Sequence, residues 1–172
     1  MISVHWMDYD ASYALLPPTP YCLLRLKENF MRPMYENQKN LSEEKKVADL
    51  LSEKWKCNFR KMPIKYELDY VLMRDLRAVA FCEIKCRTYS RKQLSDFGGS
   101  MISLAKFMKA KELNRNTSLP VYIIIQCTDQ LMYCSIDVVS ADITWSGRKD
   151  RGDVLDHEPY CLIANEHFIQ VD

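Results

Sequence analysis

Three ionisable residues occur in stretches of sequence that are otherwise suited to buried strands. Asp69 is followed, after thirteen intervening residues, by Glu83-Ile84-Lys85. Residues two apart in a strand project from the same face, so Glu83 and Lys85 stand side by side about 6.6 Å apart, at a rise of ~3.3 Å per residue. A buried charge is costly unless it is paired or binds a metal ion, and these residues are therefore candidates for a functional site.

Two interpretations of this group are open on spacing alone. Paired carboxylates without His or Cys suit a hard cation such as Mg²⁺ or Mn²⁺, which retains waters for chemistry and relieves the repulsion between the acids. On that view, Asp69→Asn would raise the melting temperature of the metal-free protein. Alternatively, Lys85 forms a structural ion pair with Glu83 or Asp69 at the end of a strand.

The formal net charge of +1 conceals an uneven distribution along the chain. Residues 39–65 hold eight Lys and Arg against four Asp and Glu, and residues 85–115 hold eight against two. Residues 129–172 hold three against nine. A basic middle can present one positive face to a polyanion, which favours a phosphate substrate, although basic segments also occur as solvated helix faces.

The first element that must position the candidate site is a helix that is predicted to begin near Asn40. Ser42 is a suitable cap for it, with acidic residues in its first turn. Apolar residues then recur at helical spacing and predict a face against the core, namely Val47, Leu50, Leu51 and Trp55. The helix is predicted to end near Asn58.

A β-hairpin follows, with strands predicted over Tyr66–Met73 and Ala78–Arg87. A turn centred on Asp75 would place Asp69 diagonal to Glu83 on one face of the hairpin. The other face would carry Leu68, Tyr70 and Leu72. Because both faces are largely apolar, the hairpin is predicted to lie centrally in a sheet that is covered on both sides.

The second half of the chain predicts a further helix and two more strands. A long helix or helix pair is expected over Arg91–Leu113, bent or split at Gly98-Gly99. Its predicted apolar side consists of Leu94, Phe97, Met101, Leu104, Ala105 and Met108. Strands are predicted over Val121–Cys127 and Leu131–Ile136.

The resulting order, α-β-β-α-β-β, predicts an α/β fold with a central mixed β-sheet flanked by helices. We expect a single domain over residues 1–172, with a core of about residues 41–136. Residues 1–38 and 141–172 would then be embellishments of that core. The latter contain a polar loop from Ser146 to Glu158 and a short apolar stretch over Tyr160–Ile163.

Asp69 with Glu83-Ile84-Lys85, on a hairpin between two helices, resembles the PD-(D/E)XK pattern of the restriction-endonuclease-like nuclease superfamily. The resemblance covers about residues 41–136 and extends to small phage-encoded nucleases of this type. One departure is that Leu68 directly precedes the aspartate where the family usually has proline, and the nearest proline is Pro63.

The resemblance implies a role for each residue of the motif. Asp69 and Glu83 would ligate Mg²⁺ or Mn²⁺, with the backbone carbonyl of Ile84 as a third ligand. Lys85 would position, or help to deprotonate, the water that attacks the phosphate, and would offset the charge that develops there.

Further residues are candidates for catalysis or nucleic-acid binding. A catalytic glutamate on the first helix, present in some members, matches best at Glu44, with Glu43 or an ordinary exposed acid as the alternatives. Gln93 would contact the site or DNA, or else face solvent. Phosphate contacts are predicted from Arg87, Arg91, Lys92 and Lys106.

The sequence thus predicts a Mg²⁺-dependent nuclease that hydrolyses phosphodiester bonds of DNA, by endo or exo action, either alone or as a homodimer. Two alternatives belong to other functional classes. One is a non-catalytic nucleic-acid-binding module with a nuclease fold. The other is an interaction protein in which the charged residues only stabilise the fold.

Composition argues against several other classes of protein. No apolar run of about 18 residues is present, so a membrane span is not expected. The acidic N-terminus is unlike a signal peptide, which predicts a cytoplasmic protein, in the host cell if phage-encoded. The seven cysteines are scattered without a Cys-x-x-Cys pair, which argues against zinc. The three histidines, His5, His157 and His167, are too dispersed for a His-metal site.

Overall fold

Two β-sheets and three α-helices form the part of the chain that the computed structural model describes, which is residues 38–63, 68–137, 139, 141–147 and 157–172. All of these residues belong to one compact unit, Tyr35–Asp172. The predicted embellishment over residues 1–38 lies, apart from Gln38, outside the described residues. So do the start of the predicted strand at Tyr66 and most of the predicted polar loop.

The main sheet has six strands and one helix packed on its first face. In chain order these elements are α1 (Gln38–Trp55), β1 (Asn58–Lys61), β2 (Tyr70–Arg74), β3 (Arg77–Cys86), β5 (Val121–Gln126), β6 (Leu131–Ser135) and β9 (Ile169–Gln170). Their order across the sheet is β1-β2-β3-β5-β6-β9. Strands β3 and β5 are parallel and every other pair is antiparallel, so the predicted mixed sheet is confirmed.

The chain crosses from β3 to β5 through two helices and a strand of a second sheet. This segment contains α2 (Arg91–Asp96), β4 (Ser100–Ser103) and α3 (Leu104–Thr117). The second sheet has the order β4-β8-β7, in which β7 is Asp142–Ser146 and β8 is Glu158–Ile163. A 3₁₀ turn, Asn165–His167, then leads to β9.

The register of the β2–β3 hairpin differs from the predicted one. The turn has two central residues, Asp75 and Leu76, both with positive φ, and a bulge interrupts the pairing between Leu72 and Met73. Leu72 pairs with Ala80 whereas Met73 pairs with Ala78, which leaves Val79 as the extra residue. At this end of the hairpin Tyr70 pairs with Cys82, so the predicted register, with its turn centred on Asp75, is wrong. Asp69 lies in a bend just before β2, where its N–H donates to the Cys82 carbonyl at 3.1 Å.

The bulge decides which face each carboxylate occupies. Without it, counting back from the two-residue turn would put Asp69 opposite Cys82 and leave Glu83 on the other face of the sheet. The extra residue, Val79, restores the shared face. The predicted hairpin also placed Asp69 and Glu83 on one face, although its turn was different. A turn centred on Asp75 and a two-residue turn followed by a bulge shift the alternation of side chains by the same amount.

Hydrophobic clusters cover both faces of the main sheet, as predicted. On the α1 side, the buried residues are Val47, Ala48, Leu51, Cys57, Tyr70, Leu72, Ala80, Cys82, Ile84 and Ile124. On the other side, β5 and β6 pack against α2, α3 and the second sheet through Ile123, Ile125, Met132, Leu94, Ala110, Ile102, Cys161 and Ile163. Leu68 belongs to this second cluster, contrary to its predicted position beside Tyr70, because it lies in a bend before β2.

Several predicted elements are corrected. Helix α1 already includes Gln38, so Ser42 lies within it and donates a hydrogen bond to the Lys39 carbonyl instead of capping the helix. Leu50 is 43% exposed although it was predicted on the buried face. Strand β1 and the second sheet were not predicted.

The predicted helix over Arg91–Leu113 is two helices separated by β4. Gly98 and Gly99 have positive φ values of 83° and 140°, which end the first helix. A side chain at Gly99 would also lie 2.1 Å from the Ile163 carbonyl of β8, so only glycine permits this approach of the two backbones. As a result, Phe97, Met101 and Met108 are exposed rather than on a buried helix face.

The described cysteines are unpaired, and five of them are buried, namely Cys57, Cys82, Cys127, Cys134 and Cys161. These five are small residues of the hydrophobic core. Among the described residues, no helix has the length and apolar character needed to cross a membrane.

Candidate active site

Asp69 and Glu83 meet where the chain enters β2. Both are buried, and Glu83 is completely inaccessible. The Ile84 backbone N–H donates to Asp69 Oδ2 at 2.8 Å, which fixes the aspartate side chain against strand β3. The two carboxylates therefore lie side by side on the face of the sheet that α3 covers.

Three lysines from three different elements surround these carboxylates. Lys85 of β3 and Lys106 of α3 both contact Glu83 Oε1, Lys106 at 2.5 Å. Lys61 of β1 lies 3.4 Å from Asp69 Oδ1 and 2.9 Å from Glu44 Oε2. We call these three carboxylates and three lysines the charged cluster: Glu44, Asp69, Glu83, Lys61, Lys85 and Lys106.

One atom of the charged cluster is left without a partner. Glu83 Oε2 is buried and accepts no hydrogen bond within the described part of the chain. A buried carboxylate oxygen normally accepts hydrogen bonds or binds a cation, because its desolvation is otherwise uncompensated. The unpartnered oxygen therefore marks a position at which a donor or a cation would be stabilised.

The two opposed carboxylates have pKa values that are shifted in opposite directions. Burial would raise the pKa of Asp69, but Lys106, Lys85, the Ile84 N–H and Lys61 outweigh it, so this pKa lies below its ordinary value. For Glu83, burial and the nearby Asp69 outweigh the two lysines, and its pKa lies above the ordinary value.

Two lysines of the cluster are held in the charged form. Burial would lower the pKa of Lys106, but the carboxylates of Glu83 and Asp69 raise it above its usual range. The pKa of Lys61 is likewise raised, since Glu44 and Asp69 more than offset the effect of its burial. Lys61 and Lys106 therefore remain cationic beside the carboxylates of the charged cluster.

The structure brings together all four residues predicted to be catalytic, Asp69, Glu83, Lys85 and Glu44. Glu44 faces the cluster from α1 and is connected to Asp69 through Lys61. Lys61 was not predicted as a site residue, because it lies on the short unpredicted strand β1. The signal for it in the sequence was its place in the basic segment over residues 39–65.

The residues predicted to contact nucleic acid have diverse environments. Lys106 lies inside the charged cluster, on Glu83. Arg91 binds the β5–β6 turn through Gln130 Oε1, at 3.2 Å. Gln93 forms a capping box with Ser90 at the start of α2, where each side chain bonds the other residue's backbone N–H. Arg91 and Gln93 therefore each form contacts that stabilise the fold.

Arg87 and Lys92 are the two remaining predicted contacts. Arg87 follows β3 and donates through Nη2 to the Met101 carbonyl at 3.3 Å, while its buried Nε has no partner among the described residues. Lys92 is exposed on α2. His157 and His167 lie outside the charged cluster, and the His157 ring lies 6.1 Å from the Trp145 ring at an angle of 44°.

Residues 30–171 match a protein family described as "Phage putative PDDEXK endonuclease". The chain belongs to this family. The predicted relationship to restriction-endonuclease-like nucleases, including phage members, is therefore confirmed, and with it the predicted fold class. As a member of the phage PDDEXK endonuclease family, the chain is a nuclease of the PDDEXK type.

Two other comparisons complete the description of this PDDEXK endonuclease. No curated protein matches it in sequence. Among solved structures, it is similar to a Holliday junction resolvase from Archaeoglobus fulgidus, an archaeal hyperthermophile, with 10% identity and a TM-score of 0.48. That match covers 76% of this chain and 90% of the resolvase.

Proposed function

We propose that this PDDEXK endonuclease hydrolyses phosphodiester bonds of DNA with Mg²⁺ or Mn²⁺ bound between Asp69 and Glu83. The observation that carries the proposal is the pairing of these two buried carboxylates with a Glu83 oxygen that has no partner in the described part of the chain. Membership of the endonuclease family supports cleavage as the reaction.

The donor set fits a hard divalent cation. No group of three or more His, Cys, Asp and Glu side chains within the described residues is arranged to hold a metal ion. Two carboxylates suffice for Mg²⁺, which keeps several waters in its coordination shell. The Ile84 N–H and carbonyl point to the same edge of β3, as in any extended residue, and Asp69 accepts from that N–H. The Ile84 carbonyl is therefore a suitable third ligand.

When bound, the cation would lower the pKa of a ligated water and offset the negative charge that develops on the phosphate. Lys85 would orient the attacking water and donate to the phosphate, because its ammonium already lies beside Glu83. Glu44 would accept a proton or hold water on the α1 side of the cluster, where Lys61 now contacts it.

Substrate binding would use the basic residues that surround the charged cluster. Lys92 is exposed and available to a phosphate, and Arg87 contributes a guanidinium that is only partly bonded. Arg91, Gln93 and Lys106 have contacts within the protein, so their part in DNA binding would be to support neighbouring elements or to follow a rearrangement. A homodimer would supply two sites for cleavage of both strands.

A second candidate function is a non-catalytic nucleic-acid-binding module. The observation in its favour is that Lys85 and Lys106 already neutralise Glu83, and Lys61 already pairs with Asp69, without any metal ion. Such a protein would bind DNA in a salt-dependent manner but would not cleave it.

Cleavage assays distinguish these functions. Linear duplex, single-stranded, nicked circular and branched DNA would each be incubated with Mg²⁺, Mn²⁺ or EDTA. We expect metal-dependent cleavage of at least one substrate, reduced about 100-fold or more in Lys85→Ala, Asp69→Asn or Glu83→Gln, because each change removes a group from the reacting centre. Lys109→Ala is a matched control, since this lysine lies on α3 and pairs with Glu112 at 3.0 Å.

Two results would contradict the proposed nuclease site at Asp69, Glu83 and Lys85. Full metal-dependent cleavage by folded Lys85→Ala and Asp69→Asn variants would show that the active site lies elsewhere. DNA binding that weakens with salt, without cleavage of any substrate, would support the binding module instead.

A further inference from the structure

Lys106 is the lysine of the charged cluster that contacts Glu83 from a helix rather than from a strand. It reaches Glu83 from helix α3, so its contact joins the crossover segment to the central sheet. Lys85 lies two residues from Glu83 on the same strand, and its position follows from the strand itself. Both ammonium groups contact the same oxygen, Oε1, whereas Oε2 has no partner within the described residues.

We infer that Lys106 is an internal counter-ion that holds Glu83 in the metal-free protein and is displaced when a divalent cation binds. This inference rests on the proposed function, because it requires Asp69 and Glu83 to be the metal ligands. It adds a role that the proposed mechanism does not contain: Lys106 sets the affinity of the site for its cation.

The charge balance of the cluster supports displacement. Among the described residues, the charged cluster holds three carboxylates and three ammonium groups. A divalent cation would leave two excess positive charges in a largely buried site, where they repel strongly. Departure of one ammonium group and arrival of one phosphodiester, which carries a single negative charge, would restore neutrality.

We assign the departure to Lys106. Its side chain is 30% exposed, so a rotation of the flexible stem can bring Nζ into water, but the Lys85 side chain is exposed to nearly the same extent, 27%, and exposure alone does not choose between the two. The backbone of α3 need not move, since Ser103 Oγ accepts from the Lys106 N–H and caps the helix independently of the ammonium group. The Lys85 ammonium is the one that the proposed mechanism retains at the phosphate.

Calorimetric titration of the full chain with Mn²⁺, without DNA, tests the inference. Lys106→Met keeps the length of the stem and removes the charge, and Lys109→Met makes the same change three residues along the same helix. We expect Lys106→Met to bind Mn²⁺ about tenfold more tightly than the parent, because a charge-assisted hydrogen bond no longer competes for Glu83. Lys109→Met should bind as the parent does.

Lys106→Gln provides a second neutral variant if Lys106→Met does not fold, and the same increase in affinity is expected. A merely structural role of Lys106 predicts the opposite, since loosening α3 would weaken metal binding. Unchanged or weaker binding of Mn²⁺ by a folded neutral variant, with clear binding by the parent, would overturn the inference alone. Absence of Mn²⁺ binding by the parent would overturn the proposed function, and the inference with it.

Discussion

Asp69 and Glu83 belong to one charged cluster, yet their ionisation has opposite effects on the stability of the fold. Asp69 accepts a backbone hydrogen bond and has lysines on two sides, and its pKa is lowered despite burial. Glu83 is buried more completely, and burial keeps its pKa raised even with two lysines on one oxygen. The ionised form of Asp69 therefore stabilises the fold, whereas ionisation of Glu83 opposes it.

The sign of this effect gives a prediction for Asp69→Asn in metal-free buffer. A lowered pKa contributes stability above the ordinary value near 3.8, and this contribution is lost as the pH falls through the pKa of the folded state. At pH 7 we expect the variant to be less stable by about 2 kcal/mol, the usual worth of hydrogen bonds to a charged group. The difference should shrink as the pH falls below 3.8.

Urea unfolding of both proteins between pH 3 and pH 7, in EDTA, measures this difference. The expectation from sequence was the reverse, because the repulsion between two carboxylates was considered without Lys61 and Lys106. A variant that is more stable than the parent at pH 7 would show that this repulsion dominates after all.

At the scale of residues, the sequence revealed Asp69, Glu83 and Lys85 because charges stand out in apolar strands. It did not reveal how Lys106 is used, since the distance between a helix residue and a strand residue depends on packing. Lys61 was missed for a related reason. Its strand, β1, is short and mostly polar, and it exists because it pairs with β2.

At the scale of elements, the largest difference from prediction is the break between α2 and α3. Apolar residues continued at helical spacing through this region, and only two glycines signalled an interruption. Strand β4 forms there because β8, about sixty residues later in the chain, offers it a pairing partner. Pairing over such a distance leaves little trace in local sequence.

The two glycines should differ in their tolerance of a side chain. Gly99→Ala would place Cβ 2.1 Å from the Ile163 carbonyl at a φ of +140°, and we expect a loss of about 3 kcal/mol in the free energy of unfolding. Among the described residues, a Cβ at Gly98 would meet only Leu162 Cδ2, at the ordinary contact distance of 3.7 Å, so Gly98→Ala should cost what a positive φ costs, about 1 kcal/mol.

Thermal unfolding measures both variants. Each kcal/mol corresponds to roughly 2–4 °C in Tm for a domain of this size. Equal losses for the two variants would mean that β4 and β8 can separate at little cost, contrary to the close approach seen at Gly99.

At the scale of the whole molecule, the basic segments separate into two kinds of residue. Some cations are used within the fold, such as Arg91 on Gln130, and others are exposed, such as Lys92. The count of charges along the sequence treated Arg91 and Lys92 as equivalent, because charge alone does not indicate whether a partner lies nearby. Their contributions to stability and to DNA binding should therefore differ.

A paired comparison tests this distinction. Lys92→Ala should leave the free energy of unfolding within about 0.5 kcal/mol of the parent, and should weaken DNA binding while reducing its salt dependence by about one phosphate contact. Arg91→Ala should cost about 1 kcal/mol of stability through the lost hydrogen bond to Gln130. Equilibrium binding to duplex DNA over a series of salt concentrations, together with urea unfolding, measures both quantities. The reverse assignment of effects would contradict the distinction.

Strands β2, β3, β5 and β6 of the main sheet were predictable because they are apolar and close in sequence. The second sheet was not. Strands β7 and β8 are short, β8 contains Pro159, and β7 exposes both Ile143 and Trp145. Residues 142–146 do alternate between polar and apolar side chains, but the run is only five residues long and its two apolar side chains are exposed, so it does not indicate a buried strand.

The bulge at Val79 limits how this hairpin can change in length among related proteins. Two numbers decide whether Asp69 and Glu83 share a face: the residues from Asp69 to the turn, and the residues from the turn to Glu83. The face is shared only while the difference between these two numbers is unchanged. Insertions that add one residue to each strand preserve that relation, and a single insertion in one strand reverses it unless a second bulge compensates. The hairpin is therefore free to lengthen only in matched steps, and a relative with an odd insertion should carry a compensating irregularity elsewhere in the same two strands.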